Sequence, residues 1–215
     1  MQAQGIDRIQ GSSTVADWDK RYAEASASLF GDAPNEYLRE TLARSDVRLS
    51  SALMLGDGDG RNGRWLAQQG IAVVALDISA KATALALEKD RKSDVSVERL
   101  TIDVDDWRPA PGQQWDAVFM IYLQCESAVR NRAAARAGAA VAKGGWFIAE
   151  GFAPNRSGGG ELGPGNLDLL YERDDILAAL PDFEVVQALK GWTLLDEGIK
   201  HRGRGWITRI LARRR

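Results

Sequence analysis

The stretch that most constrains this chain is Ser51-Ala-Leu-Met-Leu-Gly-Asp-Gly-Asp-Gly-Arg-Asn-Gly-Arg-Trp-Leu-Ala-Gln-Gln-Gly70. Its apolar start, Ala52 to Leu55, is long enough for a buried strand. Gly56, Gly58 and Gly60 then alternate, and a helical pattern puts Trp65 and Leu66 on one face ahead of Gly70, where a helix C-cap is expected. Glycines let the chain turn sharply and let a ligand lie against the backbone. The new helix points its free N–H groups at that ligand. Ile71 to Asp77 reads as a second buried strand ending in an acid. Strand, glycine loop, helix, strand and acid together are how an open α/β sheet holds the ribose of a nucleoside cofactor.

The loop also discriminates between nucleosides. Gly58, Gly60 and Gly63 satisfy G-x-G-x-x-G, a weak signal by itself. Asp57 and Asp59 stand in the loop without a lysine. A pyrophosphate about 5 Å from a carboxylate is opposed by roughly 3 kcal/mol at an effective dielectric near 20. Counting from Gly56, the first glycine after the strand, the register is G-x-G-x-G, which does not suit a dinucleotide. S-adenosylmethionine has no phosphate and carries a sulfonium and an ammonium, which acids attract. The loop favours that cofactor.

Gly56-Asp-Gly-Asp-Gly-Arg-Asn62 resembles motif I of the class I S-adenosylmethionine-dependent methyltransferases. With Trp18-Asp-Lys-Arg-Tyr22 and Phe30-Gly-Asp-Ala-Pro34 upstream, the chain is similar to the tellurite-resistance and thiopurine methyltransferase branch, from about Trp18 onward. The resemblance implies a doubly wound, Rossmann-like α/β fold, a seven-stranded sheet with an antiparallel last strand and helices on both faces. It also implies cofactor contacts. Trp18, Arg21 and Tyr22 lie over the methionine end, with Arg21 pairing the carboxylate. Gly56, Asp57, Gly58, Gly60, Arg61 and Asn62 form the loop. Asp77, Ile78 and Ser79 take the ribose side, Asp103 and Val104 the adenine side, with Ile121 at the end of the fourth strand. Ser79 reads equally as an N-cap for the helix that follows, and Asp105 is a lesser candidate beside Asp103. One departure stands out: the acid expected two residues before the first glycine is Met54. Asp57 is the candidate to take over its duty toward the methionine ammonium.

With 215 residues and 45% hydrophobic content, one compact domain over residues 16–215 is expected, after a flexible arm over 1–15. A net charge of −2 gives no electrostatic pointer to nucleic acid or membrane. The single cysteine, Cys125, excludes a disulfide framework and a cysteine-based zinc site. It reads as a small buried hydrophobe. No metal cluster is apparent. No signal peptide or spanning apolar run is visible, so a soluble, cytoplasmic protein is expected. The closing Arg213-Arg-Arg215 reads as a solvated end.

Helices are expected over Ala16–Ala25, Pro34–Arg44, from Lys81, over Ser127–Ala142 with a cap at Lys143-Gly-Gly145, and over Tyr171–Leu180. Strands are expected over Val95–Ile102, Trp115–Ile121, Trp146–Glu150, Phe183–Gln187 and Gly205–Leu211. Pro154–Gly165 reads as a loop, as readily a surface excursion as a lid. Tyr122 and Gln124 lie just past a strand end, where open sheets bind ligands, and are substrate-side candidates. An Asn/Asp-Pro-Pro-aromatic motif is missing there, which argues against a nucleic-acid base as acceptor. His201, between the last two strands, is a candidate substrate contact or proton acceptor. The expected reaction is in-line methyl transfer from S-adenosylmethionine to a small molecule (a thiol, a chalcogen oxyanion or a similar metabolite), leaving S-adenosylhomocysteine. Alignment and exclusion of water supply much of the catalysis. Only a hydroxyl or amine acceptor needs a base, for which Tyr122, His201 or an acid is available. The protein is expected to be a monomer or homodimer. The alternatives are a non-catalytic S-adenosylmethionine-binding module and, less favoured, an NAD-dependent oxidoreductase.

Overall fold

The computed structural model describes residues 15–25, 28–155, 162–198 and 200–215. The expected arm (1–15), apart from Val15 at the start of a helix, and the middle of the Pro154–Gly165 loop lie outside the described residues. The strands are β1 (Ser51–Leu55), β2 (Ala72–Asp77), β3 (Glu98–Thr101), β4 (Trp115–Ile121), β5 (Val141–Phe152), β6 (Phe183–Asp196) and β7 (Arg202–Arg214). The helices are α1 (Val15–Glu24), α2 (Glu36–Leu42), α3 (Arg61–Gln68), α4 (Ala80–Lys92), α5 (Ser127–Ala139) and α6 (Arg173–Ala178). The strands form one sheet in the order β3-β2-β1-β4-β5-β7-β6. The first five pair in parallel, and β7 runs antiparallel to both β5 and β6. The chain reverses its winding between β1 and β4, so their C-terminal ends open a crevice at the switch point.

Both faces of the sheet are covered, and the central strands are apolar on both sides in consequence. On one face Met54, Phe119 and Ile148 pack against Leu38 of α2 and Leu66 of α3. On the other Leu53, Val118 and Phe147 pack against the alanines of α5 and Ile176 of α6. Capping fixes where several helices begin. Asn35 accepts from Leu38 N at 3.0 Å, so α2 starts after Pro34 and not at it. Ser79 accepts from Ala82 N at 3.0 Å and starts α4, as its position in sequence indicates.

The second half of the chain differs more from expectation. α5 stops at Ala139, because Val141 is already paired with Trp115 in the sheet. The partners then jump from Trp115↔Val141 to Ala117↔Trp146, so the expected helix cap, Lys143-Gly-Gly145, forms the irregular start of β5. The helix expected from Tyr171 begins at Arg173. Tyr171 is instead fully buried, with its hydroxyl donating to Leu123 O at 3.2 Å. β6 and β7 are far longer than their apolar segments, which leaves only Glu197–His201 between them. Arg213 and Arg214 belong to β7 and are not a free end: Arg213 lies over the Trp146 ring, and Arg214 donates to Ala139 O and Val141 O.

Candidate active site

The glycine loop is held by its own backbone. Gly56 and Asp57 N–H groups both donate to Leu76 O, at 2.9 and 3.0 Å, which ties the end of β1 to β2. Gly58 has φ +58, and a Cβ there would collide with the Tyr22 hydroxyl. Gly60, at φ +85, is the N-cap residue of α3 and leaves no room for a side chain against Arg99 and Ala86. Asp77 at the end of β2 accepts from Gly58 N at 2.7 Å and from Ser79 N at 2.8 Å. Burial outweighs those two bonds and pushes its carboxyl up to about 6.

The loop acids behave differently from expectation. Asp57 is buried beneath the loop, where it accepts from Gly63 N and pairs with Arg99 Nη1 at 2.9 Å. Asp59 pairs with Lys89 at 2.7 Å and accepts from the Ser28 hydroxyl at 2.6 Å. Each acid has its own cation, so neither opposes a pyrophosphate as two bare carboxylates would. Gly63 N and Arg99 already engage the carboxylate of Asp57, the candidate for the ammonium duty in place of the Met54 position; Asp57 still lines the cavity. The Met54 side chain itself is core.

A cavity of about 210 Å³ opens above the loop at the switch point. Of the residues singled out from sequence, its wall contains Trp18, Tyr22, Gly56, Asp57, Gly58, Arg61, Asn62, Asp77, Ile78, Asp103, Val104, Ile121, Tyr122, Gln124 and His201. Gly60 and Ser79 stand behind the wall as helix caps. Arg21 is not on it: its guanidinium stacks 4.7 Å over the Trp18 ring. Asp105 is also off the wall, paired with Arg132 at 2.5 Å. Asp103 accepts from Asp105 N at 2.8 Å and stays on it. Cys125 lines the cavity half-buried, with its thiol pushed up to about 12 by burial. Among the described residues no group of three or more His, Cys, Asp or Glu is placed to hold a metal ion.

At the far end of the cavity the walls turn aromatic. Tyr122, at φ +51, is held in a left-handed conformation by its N–H bond to Glu150 O at 2.7 Å. Its ring lies 4.2 Å from the His201 ring and 5.1 Å from Phe152, centroid to centroid. Phe30 closes on His201 at 4.9 Å. His201 is thus 1% exposed and not a solvated loop residue. Burial holds its imidazole below the ordinary histidine range, hence neutral at neutral pH. Three buried polar atoms on this wall have no hydrogen-bond partner: Tyr122 Oη, Gln124 Oε1 and His201 Nδ1.

Behind that wall lies a buried ionic network that sequence reading missed. Asn35 Nδ2 donates to Glu150 Oε1 at 2.6 Å and to Glu197 Oε1 at 2.9 Å. Arg61 pairs with Glu197 at 2.8 Å, and Arg209 pairs with Glu150 at 2.5 Å. Burial works to raise the Glu197 carboxyl, but His201, Arg61 and the Glu36 N–H outweigh it and hold it at about 2. Burial raises Glu150 despite Arg209. Glu150 closes the strand read from sequence, Trp146–Glu150, a positional signal that was available although β5 runs on to Phe152; Glu197 and Asn35 gave none.

Residues 52–145 match the family model described as a methyltransferase domain. No curated protein matches the sequence significantly. Solved structures match in fold. TehB from Haemophilus influenzae aligns with a TM-score of 0.70 at 14% identity over 92% of this chain, which spans 66% of TehB's length, just under two thirds. The structure described as the conversion of a disulfide bond into a thioacetal group during echinomycin biosynthesis aligns at 0.71, with 16% identity over 93% of this chain and 91% of that one. Magnesium protoporphyrin IX methyltransferase from Synechocystis PCC 6803, with S-adenosylhomocysteine bound, aligns at 0.62, with 18% identity over 95% of each chain. Residues 52–145 thus match a methyltransferase domain, and the chain as a whole has the fold of these solved structures.

Proposed function

We propose that this protein methylates a small-molecule acceptor, and that a thiol is the favoured member of the acceptor class. The observation that carries the proposal is the cavity itself. It runs from the acids at the ends of β2 and β3 to an aromatic-walled end where Tyr122 Oη, Gln124 Oε1 and His201 Nδ1 lie buried without partners. Unpaired buried polar atoms are rare in folded proteins, and these three belong to side chains that line the cavity, with His201 Nδ1 4.0 Å from Glu197 behind it. In this reading Asp77 receives the ribose hydroxyls and Asp103 the adenine amino group, with Ile78, Val104 and Ile121 as apolar walls. Trp18, Tyr22, Gly56 and Gly58 surround the methionine end. The residues fit the group: glycines leave the backbone open, and the acids stand where hydroxyl and amino donors need acceptors.

S-adenosylmethionine, when bound, supplies a sulfonium-activated methyl group for in-line displacement. The protein aligns the acceptor and excludes water, which is most of what such a transfer requires. Neutral His201, 4.0 Å from Glu197, is able to take a proton from a thiol, amine or hydroxyl. Arg61 is the cation on the cavity wall, and it is already held by Glu197, Phe30 O and Ala33 O. An oxyanion would therefore meet no free positive charge among the described residues, whereas a neutral thiol needs none. The solved structure associated with thioacetal formation carries sulfur chemistry on this fold, in keeping with that preference.

The test is turnover. Protein, S-adenosylmethionine and a panel of thiols, selenite and tellurite are incubated, and S-adenosylhomocysteine is quantified by mass spectrometry. Thiol-dependent product is expected, with little from the oxyanions. Tight cofactor binding without product from any acceptor would instead favour the non-catalytic binding module.

A further inference from the structure

Among the described residues β6 forms the outer edge of the sheet, with β7 on one side and no strand on the other. Among the described residues seven large hydrophobic side chains are exposed, and five of them are on this strand: Val185, Val186, Leu189, Trp192 and Leu194. Leu194 is 78% exposed. A long apolar edge strand with unpaired backbone groups is a template for another strand, and proteins ordinarily blunt such edges with charge, proline or a bulge. Here the bulge sits at one end only, between Val185 and Gln187. The remaining segment, Leu189–Asp196, is regular against β7.

We propose that this segment pairs antiparallel with the same segment of a second copy of the chain, with the two-fold axis through Thr193. A two-fold axis perpendicular to the sheet keeps each face on its own side, so residues of equal parity stand opposite one another. With the axis at Thr193, Trp192 opposes Leu194 of the second copy, and Leu194 opposes its Trp192. Lys190 opposes Asp196 in the same way. Those four side chains share one face, on which Trp192 already packs edge-on against Trp206 with ring centroids 5.2 Å apart. Trp192 and Leu194 thus each find an apolar partner, and Lys190 and Asp196 each an opposite charge, twice over by symmetry. Placing the axis at Lys190 would set Lys190 against itself and Glu184 against Asp196, two like-charge conflicts. Lys190 and Asp196 have partners within the chain, Glu172 at 2.8 Å and Arg202 at 2.9 Å. Both pairs are partly or fully exposed, so each contributes little and leaves its side chain able to bridge to the second copy.

The experiment combines sedimentation velocity with a cross-link. The wild-type protein is expected to sediment as a dimer at micromolar concentration, and Leu194→Lys as a folded monomer whose unfolding temperature no longer rises with protein concentration. Leu167→Lys, at an exposed leucine elsewhere, is expected to leave the dimer intact. Opposed residues in an antiparallel pair have Cα atoms about 4.5–5.5 Å apart, within disulfide range. Thr193→Cys is therefore expected to yield a covalent dimer under mild oxidation, a result that does not depend on how well Leu194→Lys folds. A monomeric wild type overturns the proposal. So does a dimer that fails to cross-link in the Thr193→Cys variant, since its interface would lie elsewhere.

Discussion

At the scale of single residues, the account rests on charge states set by burial. Asp77 has a carboxyl near 6 in the ligand-free protein, because burial opposes its ionised form. In the proposed reading ribose hydroxyls donate to the carboxylate and stabilise it, so binding the cofactor drives the last proton off. Affinity for S-adenosylhomocysteine should thus rise as pH climbs to about 6 and stay level above, which titration calorimetry at several pH values will read. Asp77→Asn should flatten that dependence and weaken binding by about ten- to a hundredfold, the worth of hydrogen bonds to a charged group. His201 makes a contrasting prediction. In the proposed reading its neutral imidazole sits beyond the cofactor part of the cavity, so His201→Asn should leave S-adenosylhomocysteine affinity unchanged. Turnover with a protonated acceptor should fall by roughly 10²–10⁴-fold, the range for loss of a general base. A variant that lost affinity and turnover equally would show His201 to be a structural residue.

At the scale of elements, the chain is most legible where local geometry alone decides. The glycine loop declares itself because Gly58 and Gly60 take positive φ in places where a side chain would collide. Gly58→Ala combines left-handed strain of about 1–2 kcal/mol with displacement of the Tyr22 hydroxyl, so both unfolding temperature and cofactor affinity should drop. Trp115–Ile121 is legible for a different reason: a continuous apolar run bounded by turn residues suits a strand buried on both faces. Legibility fails where tertiary pairing overrides local preference. Ala139 and Ala140 favour helix, but Val141 is captured by Trp115, and nothing near Val141 reveals that. β6 is legible over Phe183–Gln187 only; beyond that it alternates too weakly to be read, since it is an edge strand carrying Lys190, Gly191 and Thr193. The site follows the same division. Asp77 and Asp103 follow from strand ends, whereas the Asn35–Glu197 contact joins residues 162 positions apart.

At the scale of the whole molecule, that contact ties α2, the end of β5 and the β6–β7 turn into one buried network beneath the aromatic wall of the cavity. Its four charges pair as Arg61–Glu197 and Arg209–Glu150, with Asn35 bridging the two carboxylates. Asn35→Ala would leave Glu150 and Glu197 facing each other without that donor and also remove the cap of α2. A loss of about 2–4 kcal/mol is expected, read by denaturant unfolding, because cap and bridge each contribute on the order of 1–2 kcal/mol. Cofactor binding should act in the opposite direction on the same fold. Ligand at about 100 times its Kd adds about 2.7 kcal/mol, a shift of several degrees in unfolding temperature.

The central claim is that the loop from Gly56 to Asn62, with Asp77 opposite, takes the adenosyl cofactor and not a dinucleotide. Since Asp57 and Asp59 each have their own cation, loop charge no longer decides between the two, and measurement must. Parallel calorimetric titration of the purified protein with S-adenosylmethionine, S-adenosylhomocysteine and NAD is the direct test. The account predicts saturable binding of the first two and no heat from NAD. Binding of NAD alone would contradict it at its first step.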